Sequence, residues 1–261
     1  MLTFVVPVKS AQLASDWPAF CTLFERTLRS ICNQENQNYR VIVVCHELPN
    51  ISYENDKVDY IEVPFAVPVL ESGNWGKNRE LKEGDKANKI LVGYEEAVKY
   101  KTDYIMVVDA DDCISNKISG FVDERNGNVV GWYINKGYYY KEGAGYLFLN
   151  RKTFNNLCGS CIIIRADLFT QLIVDDPWLY YYHELKVLPN GNLLNPLPFI
   201  GALYSMANGE NHFMSAEHAI KLIKKPKIDM SFFKVQYNKI AKYRIRFITN
   251  KFKKNFGFYK I

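Results

Sequence analysis

Four β-branched residues and a cysteine in unbroken succession, Val41-Ile42-Val43-Val44-Cys45, leave the rest of the chain little freedom. A strand with no polar alternation must be covered on both faces, and helices laid on either side of a parallel sheet do this. Other segments fit the same scheme. Leu2–Val8 and Tyr104–Val108 are further apolar strands, and Val58–Val63 is a weaker, alternating one. Between them, Trp17–Cys32 carries Phe20, Leu23, Phe24, Leu28 and Ile31 at helical spacing, with Ser15 and Asp16 available as caps. Lys86–Lys101 repeats that period through Ala87, Ile90, Leu91, Tyr94 and Ala97. The order β-α-β-β-α-β predicts a mostly parallel α/β sheet flanked by helices, with ligands beyond the carboxyl ends of the strands.

After about residue 128 the texture changes. Val129–Tyr140 and Tyr146–Leu149 flank Glu142-Gly143-Ala144-Gly145 and predict a hairpin, and Cys161–Ile164 predicts a short strand. Residues 175–215, rich in Pro, Gly, Asn and aromatics, read as loops that shape a site. There is no internal repeat.

With 261 residues and 48% apolar composition the chain can bury a substantial core, and 23% charged with 15% aromatic residues excludes general disorder. No apolar window reaches the length of a bilayer-spanning helix, and the opening residues read as a strand instead of a secretory leader. Six scattered cysteines suit free thiols in a reducing compartment, so the expected location is cytoplasmic. Net charge is +5, but residues 221–261 hold 13 of the 33 Lys and Arg and a single acid, Asp229. That segment carries +12 on a body of −7, and predicts a separate, basic tail with an anionic partner. The expected division is a body over 1–220, with halves 1–112 and 113–220, and a tail over 221–261.

The chemistry centres on Asp109-Ala110-Asp111-Asp112, directly after the Tyr104–Val108 strand. Carboxylates crowded at a strand end need a cation or a proton to offset their repulsion. Hard oxygen ligands of this kind suit Mg²⁺ or Mn²⁺ with phosphate oxygens completing the shell. The competing reading makes Asp112 and Ser115 caps for a helix over 114–122.

Taken together, Phe4–Val8, Leu23–Ser30, Val41–Glu47, Lys86–Ala97, Met106–Asp112 and Cys158-Gly159-Ser160 leading into a strand resemble the GT-A glycosyltransferases, most nearly family 2. The resemblance covers roughly residues 1–215 and implies a nucleotide-binding half over 1–112 and an acceptor-binding half over 113–220. It implies a GT-A (Rossmann-like) fold in which Asp109 and Asp111, with Asp112 adjacent, grip a divalent metal that bridges the donor diphosphate. Pro7 and Val8 would lie against the nucleotide base, Glu47 would read base or ribose, and Lys86 or Lys89 would face the diphosphate. An inverting transfer needs a base within reach of the attacking hydroxyl. The interval beyond the Gly-Ser strand offers Glu184 first, with His183 and Asp176 as alternatives. His212 would complete the metal site.

The implied donor is a nucleotide-sugar, UDP-linked, and the implied acceptor is a glycan or a lipid-linked acceptor. Two alternatives remain open. One is a Mg²⁺-dependent phosphatase of the haloacid dehalogenase type with Asp109 as nucleophile, and the other is a nucleotide-sugar-binding protein without turnover. Cys158 and Cys161 have the spacing of a redox or metal pair but read as packing cysteines, and neither a Gly-x-x-x-x-Gly-Lys loop nor a Gly-x-Gly-x-x-Gly fingerprint is present. The tail interleaves Phe233, Tyr237, Ile240 and Phe247 with basic residues and predicts an amphipathic helix lying on an anionic membrane surface, on the inner face. Nucleic acid is the disfavoured partner for the tail, packing of the tail back onto the body is a third possibility, and an oligomer stays open.

Overall fold

In the computed structural model, residues 1–125, 129–209 and 244–261 are described. The unalternating Val41–Cys45 run lies in β2 (Tyr39–Cys45), which sits between β1 (Leu2–Pro7) and β3 (Val58–Glu62), both parallel to it. On the other side of β1 lies β4 (Tyr104–Val107), also parallel. Every residue of β1 and β4 is buried, as expected for strands covered on both faces.

The first helix, α1 (Trp17–Ile31), starts where its sequence directs: the Asp16 carboxylate accepts the N–H of Ala19, and Pro18 occupies the first turn. Its apolar stripe buries Phe20, Leu23, Phe24, Leu28 and Ile31. The second helix, α2 (Trp75–Lys99), begins eleven residues before the expected start. Residues 75–84 are exposed or half-exposed and lack an apolar stripe, so periodicity is blind to them; the Asn74 side chain caps that end by accepting Lys77 N–H.

The remaining chain builds outward from this core. Further elements are β5 (Cys113–Ile114), α3 (Ile118–Asp123), β6 (Gly131–Tyr133), β7 (Gly137–Lys141), β8 (Tyr146–Asn150) and β9 (Ile162–Arg165). They are followed by β10 (Ile173–Asp175), β11 (Leu179–Tyr181), β12 (Asn195–Pro196), β13 (Ala202–Met206), β14 (Arg244–Phe247) and α4 (Asn250–Phe256). The central sheet has the order β12-β6-β9-β4-β1-β2-β3, in which β9 alone runs against the others. A second sheet has the order β14-β8-β7-β13-β5.

The expected hairpin is β7 and β8, whereas β6, read as part of it, belongs to the central sheet. The region read as loops contributes β13 to the second sheet. Asp112 caps no helix: Cys113 and Ile114 form β5, and α3 begins only at Ile118 without a side-chain cap.

The C-terminal segment departs from the expected helical tail. Arg244-Ile245-Arg246-Phe247 alternates basic and apolar residues at period two, and it pairs antiparallel with β8 as an edge strand. Phe247 therefore lies on no helical face. After it, α4 buries Phe252 and Phe256, which join Phe258 in a cluster with Tyr140, Leu147 and Leu203. Residues 244–261 thus pack on the body. Phe233, Tyr237, Ile240 and His212 lie outside the described residues.

Candidate active site

The carboxyl ends of β1 and β4 open into one cavity. Pro7 and Val8 from β1 and the residue after it line one wall, and Asp109, Ala110 and Asp111 following β4 line another. Helix α2 supplies Asp85, Lys86 and Lys89, while Gly159, Tyr181 and His183 close the far side. This is where an open parallel sheet places its ligands.

The acidic triplet separates into three roles. Asp109 pairs with Lys86, whose Nζ lies 2.6 Å from Oδ1, and its own N–H donates to Ser160 Oγ at 2.8 Å. The fit around it is tight: a Cβ on Gly159 would stand 2.4 Å from Asp109 Oδ2 and 3.2 Å from Lys86 Nζ. Burial works against the Lys86 charge, but Asp109, Glu83 and Asp111 outweigh it and hold the ammonium above the ordinary lysine range. Asp111 also faces the cavity, where its Oδ2 accepts from Asn208 Nδ2 at 2.7 Å. Burial, and then the neighbouring Asp109, push its carboxyl upward.

Asp112 turns the other way, into the core. Its Oδ2 accepts from Ser160 Oγ at 2.7 Å and from Cys158 Sγ at 3.3 Å, and its Oδ1 accepts the Ser205 N–H at 3.2 Å. Both oxygens are occupied, so the expected place beside the metal ligands is not where its side chain stands. Through Ser205 the network continues to Glu142 (2.6 Å) and to the fully buried Arg26, which meets Glu142 in a two-point pair at 2.5 and 3.1 Å.

Among the described residues no group of three or more His, Cys, Asp or Glu is placed to hold a metal ion. Two carboxylates nonetheless fit a divalent cation of the Mg²⁺ type, which keeps waters and takes its remaining ligands from substrate phosphate. The mutual repulsion of Asp109 and Asp111 is the feature that such a cation would relieve.

Of the expected base residues, the structure brings only His183 to the cavity. Its Nδ1 lies 3.1 Å from the Asn155 carbonyl. A carbonyl only accepts, so Nδ1 carries the proton and the lone pair is on Nε2. Burial, then the Lys86 charge, pull the imidazole below its ordinary value, which keeps it neutral. Glu184 is exposed and does not line the cavity, and Asp176 is exposed in the turn between β10 and β11.

Glu47 is also absent from the lining. Its carboxylate accepts from Ser10 Oγ at 3.0 and 3.2 Å and from the Ala11 N–H, fixing the turn after β1. Pro7, Val8, Lys86 and Lys89 all line the cavity. Sequence reasoning missed Asp85, Tyr181, Tyr204 and Asn208. For Asp85 a signal existed, since Asp85 and Lys89 form an i,i+4 pair, with Nζ to Oδ2 at 2.8 Å.

No protein-family model matches the chain, and no curated protein matches it in sequence. Solved structures do. A structure of S. aureus TarS residues 1–349 in complex with UDP-GlcNAc is 14% identical over 92% of this chain, with a TM-score of 0.42. This chain spans 66% of that one, just under two thirds. A second structure of TarS 1–349 is 12% identical, covers 92% of this chain and 79% of its own, and also scores 0.42. Francisella tularensis 2-C-methyl-D-erythritol 4-phosphate cytidylyltransferase is 10% identical over 85% of this chain and 97% of its own, with a TM-score of 0.40. Identities of 10–14% and TM-scores of 0.40–0.42 assign neither a family nor an activity to this chain.

Proposed function

We propose that the chain is a metal-dependent glycosyltransferase of the hexosyl type. It moves a sugar from a UDP-sugar to a hydroxyl of a glycan or lipid-linked acceptor in cell-surface polysaccharide biosynthesis. The observation that carries this reading is the Lys86–Asp109 pair beside Asp111 at the carboxyl end of β4, with Gly159 packed against both partners.

Asp109 and Asp111 would hold Mn²⁺ or Mg²⁺, and such an ion, when bound, supplies Lewis-acid stabilisation to a departing diphosphate. Lys86, kept charged by its acidic neighbours, adds a fixed positive group where negative charge develops on that leaving group. Pro7 and Val8 offer an apolar wall to the nucleoside. His183, with its lone pair on Nε2, would take the proton from the acceptor hydroxyl.

Exposed Ile245 and Phe247, together with exposed Lys251, Lys253 and Lys254 on α4, support attachment to an anionic membrane surface. Each basic group near such a surface contributes about 1 kcal/mol. Flotation with phosphatidylserine vesicles tests this: attachment at low salt that disappears at high salt is expected, and no flotation at low salt refutes it.

The donor reading is tested by calorimetric titration of UDP with Mn²⁺, with EDTA, and into Asp111→Asn shown to be folded by its melting curve. Binding that needs both metal and Asp111 is expected. Failure of UDP, GDP, CMP and dTDP alike to bind overturns it and turns attention to phosphoester hydrolysis at Asp109.

A further inference from the structure

Strand β13 ends at Met206, and the next residue, Ala207, has φ +57°. This is the left-handed region, which a residue with a Cβ enters only at a cost. Ala207 is exposed, so core packing does not impose the conformation. Such a residue persists where the bonds around it over-determine the turn. Before it, the Met206 carbonyl accepts the Glu142 N–H at 3.1 Å, and Glu142 is itself held by the fully buried Arg26. After it, the Gly209 carbonyl accepts from Ser15 Oγ at 3.2 Å. Between these anchors stands Asn208, whose Nδ2 donates to Asp111 Oδ2 at 2.7 Å and to Ser205 Oγ at 3.2 Å. Both directions are fixed, because an ionised carboxylate only accepts and the one Ser205 hydroxyl proton goes to Glu142 Oε1 at 2.6 Å.

We propose that Asn208 is a positioning residue for Asp111, fixing the rotation of that carboxylate so that it and Asp109 serve one divalent cation; this rests on the metal reading above. A carboxylate offers about four lone-pair sites, so one amide bond sets its orientation without ending its capacity to ligate. Order established before the cation arrives removes a cost that binding would otherwise meet. The strained turn at Ala207 is what returns the Asn208 amide over Ser205 to the cavity side. The same turn steadies the neighbouring acid through its backbone, since the Ser205 N–H donates to Asp112 Oδ1 at 3.2 Å. The buried Arg26–Glu142 pair thus reaches a cavity carboxylate through two short side chains, Ser205 and Asn208.

The test is binding of Mn²⁺ alone, read from the paramagnetic resonance signal of the free ion. It is applied to the unaltered protein, Asn208→Leu and Asn208→Gln, with a melting curve for each. Leucine is close to asparagine in size and has no donor, whereas glutamine keeps the donor on a longer stem. Asn208→Leu is expected to weaken Mn²⁺ binding by about tenfold or more, the usual effect of removing a hydrogen-bond partner from a ligating group. Asn208→Gln is expected to recover part of that loss. Unchanged binding in a folded Asn208→Leu overturns the positioning role and leaves the metal reading standing, as do equal losses in the two variants. Absence of Mn²⁺ binding to the unaltered protein, with UDP or without it, overturns both. Where the variants fail to fold, the unaltered protein decides: Mg²⁺ should shift the Asn208 side-chain N–H signals together with the Asp111 carboxyl carbon in magnetic resonance spectra. A shift of the Asp111 carbon alone overturns the proposal.

Discussion

Gly159 shows how little room the site leaves at the level of one residue. Any side chain there meets Asp109 Oδ2 at 2.4 Å, and the carboxylate cannot retreat without disturbing its ion pair with Lys86. Gly159→Ala is expected to destabilise the fold by about 1–3 kcal/mol and to weaken metal-dependent nucleotide binding at least tenfold, read by denaturation and calorimetry on the same preparation. His183 yields a different expectation. Burial and Lys86 place its titration below the ordinary 6.5, so the ring is neutral at pH 7 and gains a proton only as pH falls through that lowered value. On the proposed transferase reading, the rate should therefore rise with pH along an acid limb lying below 6.5 and level off by neutrality. His183→Gln should lower kcat by roughly 10²–10⁴ and abolish the limb; a limb that persists would assign it to another group. Asp109 and Asp111 were legible in the sequence because a crowded acidic triplet at a strand end has few bland explanations. The fates of Asp112, Glu47 and Glu184 were not, because each depends on where a side chain points. Serines distant in sequence decide this for the first two, and solvent exposure decides it for Glu184.

Among the elements, α2 binds fold and site together. It lies against β1 and β2 at Gly93, where an added Cβ would meet Val5 Cγ1 at 2.4 Å and Val44 Cγ2 at 3.2 Å. The helix approaches the sheet closely only because that position has no side chain. One to two turns earlier on the same helix stand Lys89, Lys86 and Asp85, so its distance from the sheet sets where these groups meet the cavity. Gly93→Ala is expected to cost about 1–3 kcal/mol in urea unfolding. It should also reduce UDP affinity, although Gly93 touches no part of the cavity; unchanged affinity with lowered stability would show that the helix yields locally. The strands were the most legible elements, since continuous apolar runs leave one environment open to them. The first three turns of α2 were not, because a helix stretch held by a cap and by flanking structure carries no apolar period.

Over the whole molecule, the charge break near residue 220 pointed to a separable tail, and composition could not reveal that its last part returns. Phe252, Phe256 and Phe258 are few among many lysines, yet they close the second core beside Tyr140 and Leu203. The return reaches the interior of the site's support. The Arg26 guanidinium lies 5.2 Å from the Phe258 ring centre and pairs with Glu142, which holds Ser205 and through it Asp112. Backbone bonds reinforce the join, with Asn116 N–H donating to the Asn255 carbonyl at 2.8 Å and Asn33 Nδ2 to the Lys254 carbonyl at 2.7 Å. Phe256→Ala is expected to cost about 3–5 kcal/mol, a fall of roughly 6–20 °C in Tm. Deleting residues 244–261 should be worse, because it also uncovers β8 and removes the Phe258 ring from Arg26, leaving it only Tyr140. A detachable, purely membrane-directed tail makes the opposite demand: its removal would leave Tm and UDP binding untouched and abolish vesicle flotation alone. Melting curves and UDP titrations of the two variants decide between an integral and a detachable segment, and loss of both properties together identifies the segment as part of the folded body that carries the cavity.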